Sequence, residues 1–142
     1  MSPSDLLAKA ILSMRSDAIV ATDCDGIIRS WNPGAERIFG YSTDDAIGCS
    51  LDLIIPERLR QRHWEGFRQT IESGKSRYGD GDLLSVPALR KDGTTISIEF
   101  TIVLLQSDSG QILGMAALLR DVTKRFEEMR SLKRKLADAA GS

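Results

Sequence analysis

The run TTISIEFTIVLL, residues 94–105, constrains the fold more than any other part of this 142-residue chain. Its apolar side chains alternate with polar ones, as in a strand with one buried and one wetter face; the two sets are Ile96, Ile98, Phe100, Ile102 and Ser97, Glu99, Thr101. Two turns, KDG at 91–93 and SDSG at 107–110, separate it from the apolar runs LLSVPALR and ILGMAALLRDV. The region therefore predicts three antiparallel strands joined by tight turns. Pro87 lacks an amide donor, so we expect its strand to be interrupted or partly unpaired there.

An earlier pair of strands and three helical segments precede this region. AIVATD, the turn Cys24-Asp25-Gly26 and IIRSWN together predict a hairpin. Three segments after the hairpin carry helix caps: PGAERIFGY opens at Asn32-Pro33, STDDAIG opens at Ser42 or Thr43, and PERLRQRHWEGFRQTIESG runs from Pro56 to Gly74. The sequence thus predicts an α+β fold, a five-stranded antiparallel sheet with short helices over one face, around a pocket.

Amphipathic helices are predicted at both ends of the chain. Ser2, Pro3 and Asp5 are typical of a capped helix start. We expect an N-terminal flanking helix in residues 1–15, one folded domain in 16–124 and a C-terminal helix in 125–142. Narrow apolar stripes favour a partner helix, so we expect a homodimer through side chains on these helices: Leu7, Ile11, Met14, Phe126 and Met129, with Leu6, Leu132 and Leu136 beside them.

Charge and composition exclude several classes of function. The 19 basic and 20 acidic residues nearly cancel, so nothing favours nucleic acid or an anionic membrane as a partner. Asp5 and Lys9 interrupt the N-terminal apolar segment, which predicts neither a signal peptide nor a membrane span, and hence a cytoplasmic protein. Cys24 and Cys49 are expected to be reduced structural thiols. With one histidine and no Gly-x-Ser-x-Gly motif, the chain is not expected to be an enzyme.

The chain's single histidine lies on the predicted helix after Pro56. At about 100° per residue, His63, Trp64 and Phe67 fall on the apolar arc of this helix, whereas Glu65 and Gln69 fall opposite. An inward imidazole can ligate a metal or donate to a backbone carbonyl. The pattern leaves both roles open.

The segment AIVATDCDGIIRSWNPGAERIFGYSTDDAIG, the KDGT turn and the closing LLRDVTKR resemble a PAS domain of the S-box type over about residues 15–125. The closest pattern is that of PAS domains in bacterial sensor proteins. The resemblance implies a sensory and dimerisation module that binds a small molecule or a partner protein and has no reaction of its own. It also implies that Asp121-Val122-Thr123 relays the state of the sheet to a helix leading to an effector, with Asp121 and Thr123 as relay residues, in signal transduction or transcription regulation, as in two-component systems.

The same resemblance bears on the cofactor, which the sequence does not identify. The run Gly48-Cys49-Ser50-Leu51 lacks the asparagine, arginine and phenylalanine that surround the reactive cysteine of flavin photoreceptor PAS domains, which argues against a covalent flavin photocycle. Haem-binding PAS domains of oxygen-sensing kinases keep their iron ligand within one residue of the position of His63.

In those haem proteins a second histidine corresponds to Tyr78 and a gas-steadying arginine to Leu84. These two departures argue against gas sensing. The helical angles and the resemblance together give His63, Trp64, Phe67 and Tyr78 as a candidate pocket wall, with His63 as the iron ligand only if haem is bound. It further implies a pairing of Glu36 with Arg90 or Lys91 near the KDG turn.

Overall fold

A computed structural model describes residues 1–75 and 84–141. Its helices and strands, in chain order, are α1 (Pro3–Leu12), β1 (Ala18–Asp23), β2 (Ile28–Trp31), α2 (Pro33–Phe39), α3 (Thr43–Ala46), α4 (Arg60–Ser73), β3 (Leu84–Leu89), β4 (Thr95–Gln106), β5 (Ile112–Asp121) and α5 (Thr123–Ala140). Two 3-10 helices, Leu51–Ile54 and Glu57–Leu59, lie between α3 and α4.

The five strands form one antiparallel sheet in the order β2-β1-β5-β4-β3. The hairpin β1-β2 and the three strands β3-β4-β5 both match the sequence prediction. Because β1 pairs with β5, the chain must cross from one edge of the sheet at β2 to the other edge at β3, and the helical segments make this crossing. The predicted α+β fold with a five-stranded antiparallel sheet is confirmed.

One face of the sheet carries the core beneath the helices of the crossing. Val20, Ile98 and Leu119 point to this face from three different strands. They pack with Ile38 and Phe39 of α2, which are essentially inaccessible to solvent. Burial of each such side chain is worth about 1.5–3 kcal/mol. The alternation in β4 predicted this division, since Ile96 and Ile98 are buried while Ser97 and Glu99 are not.

Asn32 joins the start of α2 to the first strand. Its Oδ1 accepts hydrogen bonds from Ala35 N (2.9 Å) and from Ile19 N (2.7 Å). Its Nδ2 donates to Met14 O (3.2 Å) and Asp17 O (3.1 Å). The Asn-Pro pair predicted the helix cap correctly. The structure adds that the same side chain holds the linker between α1 and β1.

The helix after Pro56 differs from the single helix that the sequence predicts. Pro56 is extended (ψ 138°), the next three residues form a 3-10 turn, and α4 begins at Arg60. The Arg60 side chain donates from Nε to Ile55 O (3.1 Å), across the turn. No side chain caps the start of either helix, so nothing local favours one continuous α-helix from Pro56. The α-helix nevertheless ends at Gly74 (φ +70°), as expected.

Pro87 does not interrupt its strand. The pairing of β3 with β4 continues without a register shift through Pro87, which lies opposite Ser97. β3 is an edge strand of the sheet, and an edge strand tolerates a missing amide donor because one of its sides has no partner strand. The expected interruption is therefore wrong, and the position at the sheet edge is the reason.

The flanking helices leave their apolar side chains in solvent. α1 begins with the predicted capping box between Ser2 and Asp5. Exposed fractions are 62% for Leu7 and 40% for Ile11 on α1, and 45% for Phe126 and 49% for Met129 on α5. Met14, predicted on the α1 stripe, instead lies beyond the helix end at Leu12, where its carbonyl oxygen accepts from Gly34 N (3.0 Å). Within the described ranges, no helix is both long enough and apolar enough to cross a bilayer.

Candidate functional site

α4 brings three predicted pocket residues together as an aromatic cluster, His63, Trp64 and Phe67. Ring centroids lie 4.6 Å apart for His63 and Trp64, 5.1 Å for Trp64 and Phe67, and 6.1 Å for His63 and Phe67. Spacings of three and four residues place such side chains on one face of a helix. Phe67 is buried, whereas Glu65 and Gln69 are exposed. The predicted inward and outward faces of this helix are therefore as the sequence indicated. Tyr78, the fourth predicted member, lies outside the described residues.

Trp64 is fixed by two contacts that sequence reasoning missed. Its indole Nε1 donates to Asp52 Oδ1 at 2.7 Å. Its ring covers the β1-β2 turn, where Gly26 has a φ of +77° and a Cβ atom would come within 2.2 Å of two ring carbons. Gly26 therefore serves both the turn conformation and the close approach of the indole. Only the glycine of the turn was visible as a signal in the sequence.

His63 has a partly desolvated imidazole whose environment favours the neutral form. Its Nδ1 is buried and has no hydrogen-bond partner among the described residues. Burial lowers the pKa of His63 from its ordinary value of 6.5, and the charge of Asp52 opposes this shift. The neutral form is the one that ligates metals. Since no three His, Cys, Asp or Glu side chains in residues 1–75 and 84–141 form a metal-binding group, a metal on His63 would need further ligands from a prosthetic group or from elsewhere.

A second feature is an open cleft of about 430 Å³ beside the β3-β4 turn, which we call the basic cleft. His63 does not line it. The polar side of the cleft comprises Tyr41, Ser50, Asp52, Arg60, Arg90 and Lys91. Asp52 lies between the two features, since it lines the basic cleft and accepts from Trp64.

The pairing of Glu36 with Arg90 or Lys91 does not form. Glu36 Oε2 accepts instead from Thr43 N at 2.8 Å, at the start of α3. A carboxylate is favoured there because the first amide groups of a helix have no partner within the helix. Lys91 Nζ lies 3.6 Å from Asp45 Oδ2. Arg90 makes no ion pair within 4 Å in the described part of the chain.

The predicted relay residues meet at the junction of β5 and α5. Asp121 Oδ1 accepts from Thr123 N (3.0 Å) and Thr123 Oγ1 (2.6 Å). Thr123 Oγ1 in turn accepts from Ser97 N (2.9 Å), and Val122 N donates to Ser97 O (2.9 Å). Both backbone groups of Ser97 on β4 therefore bind this junction. Ser97 was missed because its contribution comes from the backbone, which no side-chain motif reports.

Charged side chains continue this connection over the outer face of the sheet. Arg125 of α5 donates to Glu99 of β4. Glu99 lies opposite Arg120 in the pairing of β4 with β5, and Arg120 makes two hydrogen bonds, 3.0 and 3.1 Å, to Asp17. The side-chain hydrogen bond from Arg120 is the main reason that the pKa of Asp17 is lowered. Each exposed ion pair contributes about 0–1 kcal/mol to stability. Together these four charged side chains connect the segment between α1 and β1 to α5.

Comparison with known proteins identifies the family. The family model described as PAS domain matches residues 16–124. The chain is 31% identical over 136 residues to the sensor protein FixL of Bradyrhizobium diazoefficiens, covering 87% of this chain and 25% of FixL. It is 33% identical over 93 residues to the oxygen sensor protein DosP of Escherichia coli, covering 66% of this chain and 11% of DosP. The chain thus spans a quarter or less of either relative's length.

Solved structures agree with this match. The crystal structure of the PAS domain of a protein from Colwellia psychrerythraea superposes with a TM-score of 0.73 at 28% sequence identity. The superposition covers 87% of this chain and 99% of the other. Since the family model covers most of the chain and a solved PAS domain shares its fold, the chain belongs to the PAS domain family and is a sensory domain of the kind found in signal-transduction proteins.

Proposed function

We propose that this PAS domain detects a change at the α4 side of its sheet, in a ligand or a partner protein, and transmits it through α5 to an effector. The effector lies elsewhere in a longer protein or in a partner protein. The domain itself catalyses no reaction. Its setting is the cytoplasm, which the two free thiols, Cys24 and Cys49, support because reducing compartments keep cysteines unpaired.

The junction of Ser97, Asp121 and Thr123 carries this proposal. It ties α5 to β4 through Thr123 Oγ1 and Val122 N, at 2.9 Å each, so a shift of β4 changes the start of the helix. β4 also contributes Ile98 to the core beneath the helices of the crossing. A change in packing around Ile98 would therefore move Ser97, the next residue of β4, and with it the hydrogen bonds that hold the start of α5.

Amide hydrogen exchange in a variant of α4 tests whether a change in α4 reaches α5 through the sheet. Phe67→Ala removes a buried ring from α4 without touching α5, and we expect faster exchange in the first two turns of α5. Arg68→Ala, on the exposed face of the same helix, is the matched control and should leave α5 unchanged. If Phe67→Ala speeds exchange in α4 alone while the protein stays folded, transmission through the sheet is wrong.

A homodimer is part of the proposal. Leu7 and Ile11 on α1, and Phe126 and Met129 on α5, form exposed apolar stripes at the two ends of the chain. Such stripes on polar helices are stabilised when they pair with another helix. Pairing of two copies through these helices places their two α5 helices side by side, so that an effector contacts both helices together.

A haem-based gas or redox sensor is a second candidate, favoured by His63 Nδ1. The buried Nδ1 has no partner among the described residues, and burial lowers the pKa of His63, which favours the neutral form that would hold an iron ion. The relative DosP is by name an oxygen sensor. His63 would hold the iron and Trp64 and Phe67 would contact the flat ring. When bound, haem supplies an iron centre that binds diatomic gases or changes oxidation state.

The absorption spectrum of protein expressed with iron and a haem precursor tests this candidate. We expect a Soret band in the wild type that is lost in His63→Ala. Trp64→Phe keeps an aromatic wall and should keep the band. A colourless wild-type protein, or a band that His63→Ala leaves unchanged, excludes His63 as a haem ligand.

A further inference from the structure

The basic cleft has the features of a binding site separate from the aromatic cluster. It lies between the 3-10 segment after α3 and the β3-β4 turn, and its volume of about 430 Å³ admits a small organic molecule. Leu53 and Leu89 give it an apolar floor, and the half-buried Tyr41 ring stands at one side. A ligand in the cleft would therefore meet both apolar and charged groups.

The cations of the cleft are not equally available to a ligand. Arg60 is committed, since its Nε donates to Ile55 O (3.1 Å) and its Nη2 to Asp52 O (3.4 Å). Lys91 is shared with Asp45 at 3.6 Å. In the ranges described, Arg90 has neither an ion pair nor a partner for its buried Nε.

An unpartnered buried N–H is costly. Leaving such a donor unsatisfied destabilises a protein unless a ligand supplies an acceptor. Asp92, the carboxylate of the adjacent turn, is held by Thr94 through bonds of 2.6 and 2.9 Å and influences Arg90 only through longer-range charge. The acceptor that Arg90 lacks is therefore not supplied by its own turn.

We propose that the basic cleft binds a small organic carboxylate with a compact apolar body. The carboxylate pairs with the Arg90 guanidinium, which suits a planar acid group because it can donate two parallel hydrogen bonds. Lys91 adds positive charge, and the apolar body lies over Leu53 and Leu89 beside Tyr41. His63 does not line this site, and the site goes beyond the proposed signalling function because the transmission through α5 does not depend on it.

The Asp52 carboxylate connects the cleft to the aromatic cluster. Asp52 lines the cleft and accepts from Trp64 Nε1 at 2.7 Å. A carboxylate bound at Arg90 places a second negative charge in the cleft that Asp52 lines, and so changes the electrostatic environment of the Trp64 indole. The indole fluorescence of Trp64 therefore gives a second readout.

Titration of the intact chain with sodium benzoate, followed by amide and arginine side-chain NMR, tests the proposal. We expect saturable chemical-shift changes of the backbone amide resonances of Arg90, Lys91 and Ser50. The Nε resonance of the Arg90 side chain should shift with them. Benzamide, which has the same body without the charge, should produce no saturable shift. Because the cleft is open, the affinity should be weak, in the high-micromolar to millimolar range.

Variants at two arginines show whether the Arg90 guanidinium itself holds the acid. Arg90→Met should weaken benzoate binding at least about ten-fold, while Arg68→Met, which removes the same charge from the exposed face of α4, should not. Because Arg90→Met removes an unpartnered donor, its unfolding midpoint should equal or exceed that of the wild type. Unchanged binding in Arg90→Met, linear shifts equal to those of benzamide, or shifts centred on Phe67 and Thr70 would each overturn the proposal.

Discussion

At the residue scale, Asn32 and His63 are two buried or partly buried polar side chains that differ in their hydrogen bonding. Asn32 is buried and uses both ends of its amide, two acceptor bonds and two donor bonds. His63 is buried at Nδ1 and uses neither donor nor acceptor there among the described residues. The Asn32 amide is fully hydrogen-bonded and stabilises the fold, whereas the buried Nδ1 of His63 has no partner in the described ranges.

Asn32→Ala should lower the free energy of unfolding by about 2–3 kcal/mol. The variant leaves Ile19 N and Ala35 N without their acceptor and removes the helix cap. Asn32→Asp is the matched variant, because it keeps both acceptor bonds and loses only the donor bonds to Met14 and Asp17. Urea unfolding should rank wild type above Asp and Asp above Ala. Equal stability of all three proteins would contradict the anchoring role.

The stability of the domain should fall as the pH decreases below about 7, because of His63. Burial lowers the folded pKa of His63 below 6.5, and unfolding returns it to about 6.5. Between these two values the unfolded chain binds a proton that the folded chain does not, so acid favours unfolding. Asp17, whose pKa Arg120 holds below 3.8, loses its stabilising effect only at lower pH.

Urea unfolding at pH 7.5 and pH 5.5 measures this dependence. His63→Asn removes the only histidine of the chain and should make the free energy of unfolding less dependent on pH over this window. The same slope in wild type and variant would show that His63 is not the titrating group.

At the scale of elements, one backbone and one side-chain hydrogen bond join the start of α5 to the sheet. α5 continues from β5 through Asp121-Val122-Thr123 and is tied sideways to β4 at Ser97. α5 has no buried residue of its own. Its orientation therefore depends on the junction and on the contact of Arg125 with Glu99 rather than on a core of its own.

Thr123→Val should loosen the start of α5. It leaves Ser97 N without its acceptor and costs about 1–2 kcal/mol of stability. Exchange of the Ser97 and Phe126 amides should become faster by hydrogen-exchange mass spectrometry. Thr123→Ser keeps the hydroxyl group and should behave like the wild type. If Val and Ser variants exchange alike, the hydroxyl does not hold the junction.

At the scale of the whole molecule, the exposed apolar stripes of α1 and α5 predict association of two copies. A charge placed in the α1 stripe should oppose it, so Leu7→Glu and Ile11→Glu together should shift the protein to a monomer in light scattering at high micromolar concentration. Lys9→Glu makes the same change of −2 in net charge on the opposite side of α1, about 160° from Ile11, and should leave the mass unchanged. A wild-type monomer at that concentration would refute the dimer.

Local signals in the sequence were sufficient for most elements. The Asn32-Pro33 cap, the Gly40 and Gly74 helix ends and the alternation in β4 each depend on residues close together in the chain. A cap or a turn is stabilised by its own neighbours, so it needs no knowledge of the rest of the fold. The start of α4 was misplaced because Pro56 permits both an extended and a helical continuation.

The candidate site was predictable only in part. The sequence by itself determined that His63, Trp64 and Phe67 share a helix face, because helical periodicity follows from residue spacing. Only the tertiary structure decided that Trp64 binds Asp52 and covers Gly26, and that Pro87 lies on an edge strand. It also placed Arg90 in a cleft where its Nε has no acceptor within residues 1–75 and 84–141. These facts depend on which strands pair after the crossing from β2 to β3, and contacts between residues distant in the chain are set by the packing of the whole sheet rather than by any local pattern.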